Sequence, residues 1–247
     1  MRIPTGAALG AALLLVAACG GGDGNNASSN VNMQAPITQI PAPNNGDWTQ
    51  VVSRTPEGGT RIGNPDAPLK LVEYGSLTCP ACKAFSDTGT QPLRDTYVRS
   101  GQVSWEFRHL IIHGAADAAL ALLSDCQPPS AFFRTIENIY DDQPTILSSI
   151  DASEEQQIAA LPPERQIAAM AEAMDLGGFF AQRGLPAGRQ AQCLADQQAV
   201  QRLADNTNRA GTQENVTGTP TFILNGEKLN VSDWRSLEPL LRQRIGG

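Results

Sequence analysis

The sequence predicts an α/β fold in which a strand-helix-strand half is separated from its closing strands by a long helical stretch. Three observations carry this expectation. Leu69-Lys70-Leu71-Val72-Glu73-Tyr74 is a short apolar run that reads as a buried strand, and Gln102 to Leu110 alternates and carries β-formers, which reads as another. The helical run that opens near Cys82 lies between them, and at that spacing strand, helix and strand form a right-handed crossover with a parallel pair. Finally, the chain reads as helical from about Gly114 to Gly211 and returns to a strand and hairpin only after Pro220, before a last helix.

The bulk numbers fit one good core. A chain of 247 residues with 41% hydrophobic and 17% charged residues is not disordered as a whole. Its formal charge of -7, with no basic cluster and no aromatic-basic interleaving, excludes the electrostatic footprint that nucleic-acid binding needs.

At the N-terminus, Met1-Arg2 supplies a small positive region, and Gly6 to Ala17 is almost wholly Ala, Leu, Val and Gly. This is a targeting segment, too short to span a bilayer as a mature helix. Val16-Ala17-Ala18-Cys19-Gly20 resembles a bacterial lipobox, which implies removal of residues 1–18 and a lipid on Cys19. The alternative is an ordinary secretory peptide that leaves Cys19 as an odd thiol. Gly20 in the second position, instead of Asp, implies no retention at an inner membrane. Residues 19–47 are rich in Gly, Asn, Ser and Pro and read as a tether. As a flexible coil it would hold a domain roughly 30 Å from the bilayer.

Folded structure is expected from Trp48. Gln50-Val51-Val52 reads as a short edge strand, and Gly58 to Pro68 as a turn-rich approach to the central strand. The stretch Ser76-Leu77-Thr78-Cys79-Pro80-Ala81-Cys82-Lys83 then joins strand to helix. A Cys-x-x-Cys pair in this position has the layout of a thiol-disulfide redox centre. Cys79 falls at the helix N-terminus, where unpaired amide donors favour a thiolate, and Pro80 fits the first helical position. Cys79 is therefore expected to be the exposed nucleophile, and Cys82, a turn further in, its shielded partner. The alternative, half of a zinc ribbon, lacks ligands, because the sequence has no second such pair and its only histidines are His109 and His113.

The run from Gly59 to Cys82, the Cys79-Pro80-Ala81-Cys82 motif and Val216-Thr217-Gly218-Thr219-Pro220-Thr221-Phe222 resemble the DsbA-like branch of the thioredoxin superfamily. The resemblance implies a thioredoxin fold interrupted by an inserted helical domain: residues 48–112 as its first part, 113–195 as the insertion and 196–247 as its second part. It also implies that Thr219-Pro220 is a cis peptide beside Cys79, and that Glu73 is the acidic residue beneath the active-site helix. A partly buried Glu73 would have a raised pKa and could move protons to or from Cys82; the alternative is a solvated carboxylate.

Within the insertion, Pro128-Pro129, Pro162-Pro163 and Pro186 divide the chain into short helices. Ile167, Met170 and Met174 recur at helical spacing as core, before Gly177-Gly178 ends the run. Cys126 and Cys193 flank the insertion and are reasonable disulfide partners in an oxidising compartment, the alternative being two buried free thiols.

The function this resemblance implies is introduction of disulfides into secreted or periplasmic cysteine-containing proteins. The protein would act as a monomer on the extracytoplasmic face of a membrane, with no cofactor and no metal. Recycling implies a membrane redox partner. Two departures bear on direction: Ala81 stands where the best-known oxidases of the branch have His, and Thr219 before the proline resembles disulfide isomerases. A reductase or isomerase is the same-class alternative. A Cu(I) chaperone and a redox-inactive binding lipoprotein are alternatives from other classes.

Overall fold

The computed structural model describes Met33 and residues 36–246. The targeting segment 1–18, the lipidation candidate Cys19 and most of the first half of the tether lie outside the described residues.

The strands are β1 (Val52–Arg54), β2 (Thr60–Ile62), β3 (Leu69–Gly75), β4 (Val103–His109), β5 (Thr221–Leu224) and β6 (Glu227–Lys228). They form one mixed sheet in the order β1-β2-β4-β3-β5-β6. The central strand β3 runs parallel to β4 and antiparallel to β5, so Glu73 sits opposite Phe107 on one side and Phe222 on the other. The expected parallel pair is present, and its crossover is helix α1 (Pro80–Phe85) with its continuation. That continuation widens into π turns at Ser86–Thr90 and Leu93–Val98. Pro92 lies between them and has no N–H for the helical ladder, which accounts for the widening there.

Seven helices follow β4: α2 (Gly114–Asp125), α3 (Pro129–Ser148), α4 (Ala152–Ala159), α5 (Pro163–Ala173), α6 (Leu176–Ala181), α7 (Ala187–Leu194) and α8 (Gln197–Gln213). Pro129 and Pro163 occupy first-turn positions and Pro186 is the N-cap of α7, so the prolines do divide the insertion. After the β5-β6 hairpin the chain ends in α9 (Trp234–Gly246). None of the described helices is long and apolar enough to cross a membrane.

Packing follows the strand alternation. Leu71, Trp105, Phe107, Phe222 and Leu224 are buried in the main core with Phe85, Phe132, Ile139 and Leu237 from the surrounding helices. Full burial of such side chains is worth about 1.5–3 kcal/mol each. Tyr74, Leu110 and Ile223 form a second cluster with Ala210 of α8 and Val216. Cys126, at the end of α2, and Cys193 in α7 are joined by a disulfide with a Cα–Cα distance of 6.1 Å.

Several local expectations are corrected. Trp48–Gln50 is a 3₁₀ turn instead of the start of an edge strand, because the Asp47 carboxylate accepts the Thr49 N–H at 2.9 Å as a cap; β1 begins only at Val52. The approach to β3 contains a strand, β2, because Thr60 and Ile62 alternate inward and are buried between neighbours. Gly177 and Gly178 lie inside α6, and α5 gives way two residues earlier through Asp175 in the left-handed region, with φ 50°. Contact with the domain also starts before Trp48. Ile40 N–H donates to Ser100 O at 2.7 Å, and the Trp48 indole donates to Ile40 O at 2.7 Å.

Candidate active site

β3 ends at Gly75, and the chain turns through Ser76, Leu77 and Thr78 into α1. Cys79 is the N-cap of α1, with extended torsions (φ -79°, ψ 123°), and Pro80 opens the helix. The Cys79 sulfur lies 3.5 Å from Thr219 O, and the Thr219-Pro220 peptide is cis. The sequence motifs at Cys79 and at Pro220 thus meet, 140 residues apart in the chain, at one end of the sheet.

Cys79 is only 8% exposed and Cys82 is fully buried. The expectation that Cys79 is exposed is therefore corrected: its side chain is buried. The Thr219-Pro220 segment lies against the sulfur, with Thr219 O at 3.5 Å.

The two thiols are unlike. A hydrogen bond from the Cys82 thiol, helped by the N–H groups of Ala81 and Cys82 at the helix start, lowers the Cys79 thiol to about 5. Burial pushes the Cys82 thiol far up, and the hydrogen bond to Cys79 and the Glu73 charge add to this. Glu73 is 1% exposed, more deeply placed than partial burial would give. Burial raises its carboxyl to about 8, although the Trp105 indole donates to Oε2 at 3.0 Å.

The turn that carries Cys79 is also held by side chains that sequence reasoning passed over. Asp117, in the first turn of α2, is 2% exposed. Its Oδ1 accepts Ser76 Oγ at 2.8 Å, Thr78 Oγ1 at 2.8 Å and Thr78 N–H at 3.3 Å. Its Oδ2 accepts the N–H groups of Ile112 and His113, both at 2.9 Å. His113 Nδ1 is 2.7 Å from Thr78 Oγ1. From α3, the Tyr140 hydroxyl donates to Ser76 O at 3.2 Å, and Gln143 Nε2 donates to Leu77 O at 2.8 Å and Cys79 O at 3.2 Å. A signal for Asp117 was present: it is the lone charged residue at the start of an Ala- and Leu-rich helix. Tyr140 and Gln143 carry no comparable local signal. No group of three or more His, Cys, Asp or Glu among the described residues is placed to hold a metal ion.

Chemically, the site pairs a ready thiolate with a thiol that resists ionisation, beside a buried carboxyl that keeps its proton near neutrality. Such a pair can form a disulfide, open it to an incoming thiolate, and leave as a stable anion.

Two cysteines at a helix start, facing a cis-proline turn across a mixed sheet, define the class of thioredoxin-fold proteins, here with helices inserted between the two halves of the fold. The family model described as Thioredoxin matches residues 55–243, more than half of the chain, and the chain belongs to that family.

Among solved structures, the chain is 30% identical to a protein-disulfide isomerase from Novosphingobium aromaticivorans, with a TM-score of 0.72 over 76% of this chain and 97% of that one. It matches Wolbachia pipientis alpha-DsbA1 with a TM-score of 0.62 at 18% identity, covering 84% of this chain and 94% of the other. At that identity the likeness is one of fold, a thioredoxin fold with an inserted helical domain. Disulfide bond formation protein D of Bacillus subtilis is 29% identical over 91 residues, 36% of this chain and 41% of that protein. A putative protein-disulfide oxidoreductase of Rickettsia prowazekii is 25% identical over 178 residues, 72% of this chain and 58% of that protein. The chain thus spans less than two thirds of the length of these two relatives.

Proposed function

We propose that this protein is a thiol:disulfide oxidoreductase that introduces disulfides into secreted or periplasmic proteins through Cys79 and Cys82. The observation that carries the reading is the inequality of the two thiols, about 5 for Cys79 and far above the ordinary range for Cys82. A substrate thiolate attacks Cys79 in the oxidised pair, the Cys79–Cys82 bond breaks, and the electron pair leaves on Cys82, which takes a proton from the neutral Glu73 carboxyl. A second substrate thiolate then attacks the substrate sulfur of the mixed disulfide and expels Cys79 as a thiolate. The substrate is oxidised by two electrons and the pair is reduced by two. Thr219 and Pro220 present backbone to the incoming chain beside Cys79, and Pro80 and Ala81 set the start of the helix.

The sequence before residue 48 supports an extracytoplasmic domain held at a membrane through a lipid on Cys19. In that setting the monomer acts on cysteine-containing client proteins and is reset by a membrane redox partner. Metabolic labelling with a fatty acid, compared with Cys19→Ala, tests the anchor: unlabelled wild-type protein would remove it.

The test of the function is the reduction potential of the pair in the purified full chain, with Cys79→Ser as control. A value near the oxidant end, about -120 mV, supports disulfide donation, and one near thioredoxin's, about -270 mV, moves the reading to a reductase. The second reading, isomerisation, is favoured by Thr219 before the proline and by the name of the Novosphingobium relative. Faster rescue of a scrambled substrate than oxidation of a reduced one would select it.

A further inference from the structure

The backbone on both sides of the Cα atom of Cys79 is tied to one helix of the insertion, the C-terminal peptide directly and the N-terminal one through Ser76 O. On the N-terminal side, Cys79 N–H donates to Ser76 O at 3.2 Å, and the same carbonyl accepts the Tyr140 hydroxyl at 3.2 Å. On the C-terminal side, Cys79 O accepts Lys83 N–H at 3.1 Å and Gln143 Nε2 at 3.2 Å. The same Gln143 amide reaches back to Leu77 O at 2.8 Å. Tyr140 and Gln143 stand three residues apart on α3 and so project from one face of it. They are 2% and 3% exposed.

A buried amide and a buried phenol are costly unless hydrogen-bonded, and both of these spend donors on the turn that carries Cys79. The torsions of that one residue decide where its sulfur lies relative to the N–H groups of Ala81 and Cys82. Rotation of the peptide on either side would carry the sulfur off the helix start, where the amide dipoles favour an anion.

We propose that Tyr140 and Gln143 are positioning residues for thiol-disulfide exchange, fixing φ and ψ of Cys79 and through them the seat of its sulfur on the first turn of α1. The proposal rests on the reading of Cys79 as the sulfur that exchanges with substrate, the attacking thiolate when the pair is reduced. It makes α3 part of the active site, although the helix belongs to the insertion and not to the thioredoxin fold. Tyr140 is suited to a constant donor role, because burial holds its hydroxyl protonated and the nearby Cys82 and Glu73 reinforce this.

The experiment uses the full chain with Gln143→Met, which keeps the volume and removes the amide, and Tyr140→Phe, which removes one oxygen. Three quantities are read: the thiolate absorbance titration of Cys79; kcat and KM across pH for reduction of a disulfide-bonded peptide by the reduced form, in which the Cys79 thiolate attacks and dithiothreitol regenerates the pair; and Tm. In each variant the Cys79 midpoint is expected to rise by about one unit. The kcat at a pH below the midpoint should then fall about tenfold, with KM within about twofold and recovery at higher pH, since one unit is a tenfold change in thiolate fraction. Variants that fold and titrate like the wild type overturn the proposal, as does lost activity with an unmoved pH profile. If Gln143→Met does not fold, Tyr140→Phe decides alone. Activity that survives Cys79→Ser overturns the nucleophile assignment instead, and the Cys79 titrations still decide whether the two side chains position it.

Discussion

Trp105 donates its indole N–H to Glu73 Oε2 at 3.0 Å from the neighbouring strand, and this is how a carboxyl comes to sit inside the sheet under the helix that Cys79 caps. The bond satisfies one oxygen and offsets part of the desolvation, yet burial still raises the group to about 8.

That carboxyl makes stability depend on pH. Between its ordinary value of 4.5 and about 8 the unfolded chain gives up the proton and the native chain keeps it. Stability that is fully present below 4.5 is therefore lost as the pH rises through 8. Glu73→Gln keeps an acceptor for Trp105 and removes the penalty. It should be more stable than the wild type at pH 7, by on the order of 3 kcal/mol, and equal to it at pH 4. Urea unfolding at the two pH values checks this. Exchange should slow about tenfold in the same variant through loss of the proton donor to Cys82.

The reduced protein should show one thiolate absorbance transition near pH 5, absent in Cys79→Ser, with none from Cys82 below pH 9. The sign for stability is opposite to that of Glu73. The lowered Cys79 pKa contributes stability to the reduced form above 9 that is lost as the pH falls through 5, whereas the oxidised form has no such dependence. Unfolding of both redox forms at pH 4 and pH 7 reads the difference, and a transition near 9 would contradict it.

Much of the fold and the two thiols at the helix start were legible in the sequence because their signals are local. An apolar run and a helix start each declare themselves within ten residues. Cys79 and Cys82 were found this way, and Pro220 and Glu73 through the resemblance. What stayed hidden was the support. Asp117, Tyr140 and Gln143 reach the turn that carries Cys79 only through tertiary packing. Strand β2 and the Asp47-capped turn were missed for a related reason: pairing partners and caps override weak local propensity.

Asp117 accepts five donors from two loops, and Asp117→Asn would turn an amide N–H₂ toward some of them. The expected cost is about 2–4 kcal/mol, measured as a lower urea midpoint in both redox forms. An unchanged midpoint would mean that the two loops are held by other contacts.

Removing the Cys126–Cys193 disulfide by Cys126→Ala and Cys193→Ala should cost about 4 kcal/mol by chain-entropy arithmetic for a closed loop of this size. Denaturant unfolding of the double variant checks the magnitude. A loss below about 1 kcal/mol would show that the bridge adds little to packing between α2 and α7.

The same bridge has a bearing on how fast the chain assembles. Its central strand must find β5, with Leu71 opposite Leu224, across the whole length of the inserted helices. Distant pairings of this kind slow assembly, since the connecting chain must close before any contact rewards it. With Cys126 and Cys193 joined, the covalent path between those two strands is shorter by most of the 67 positions that separate the cysteines. The speed at which the sheet closes is thus coupled to the oxidation state of the surroundings in which the newly made chain finds itself.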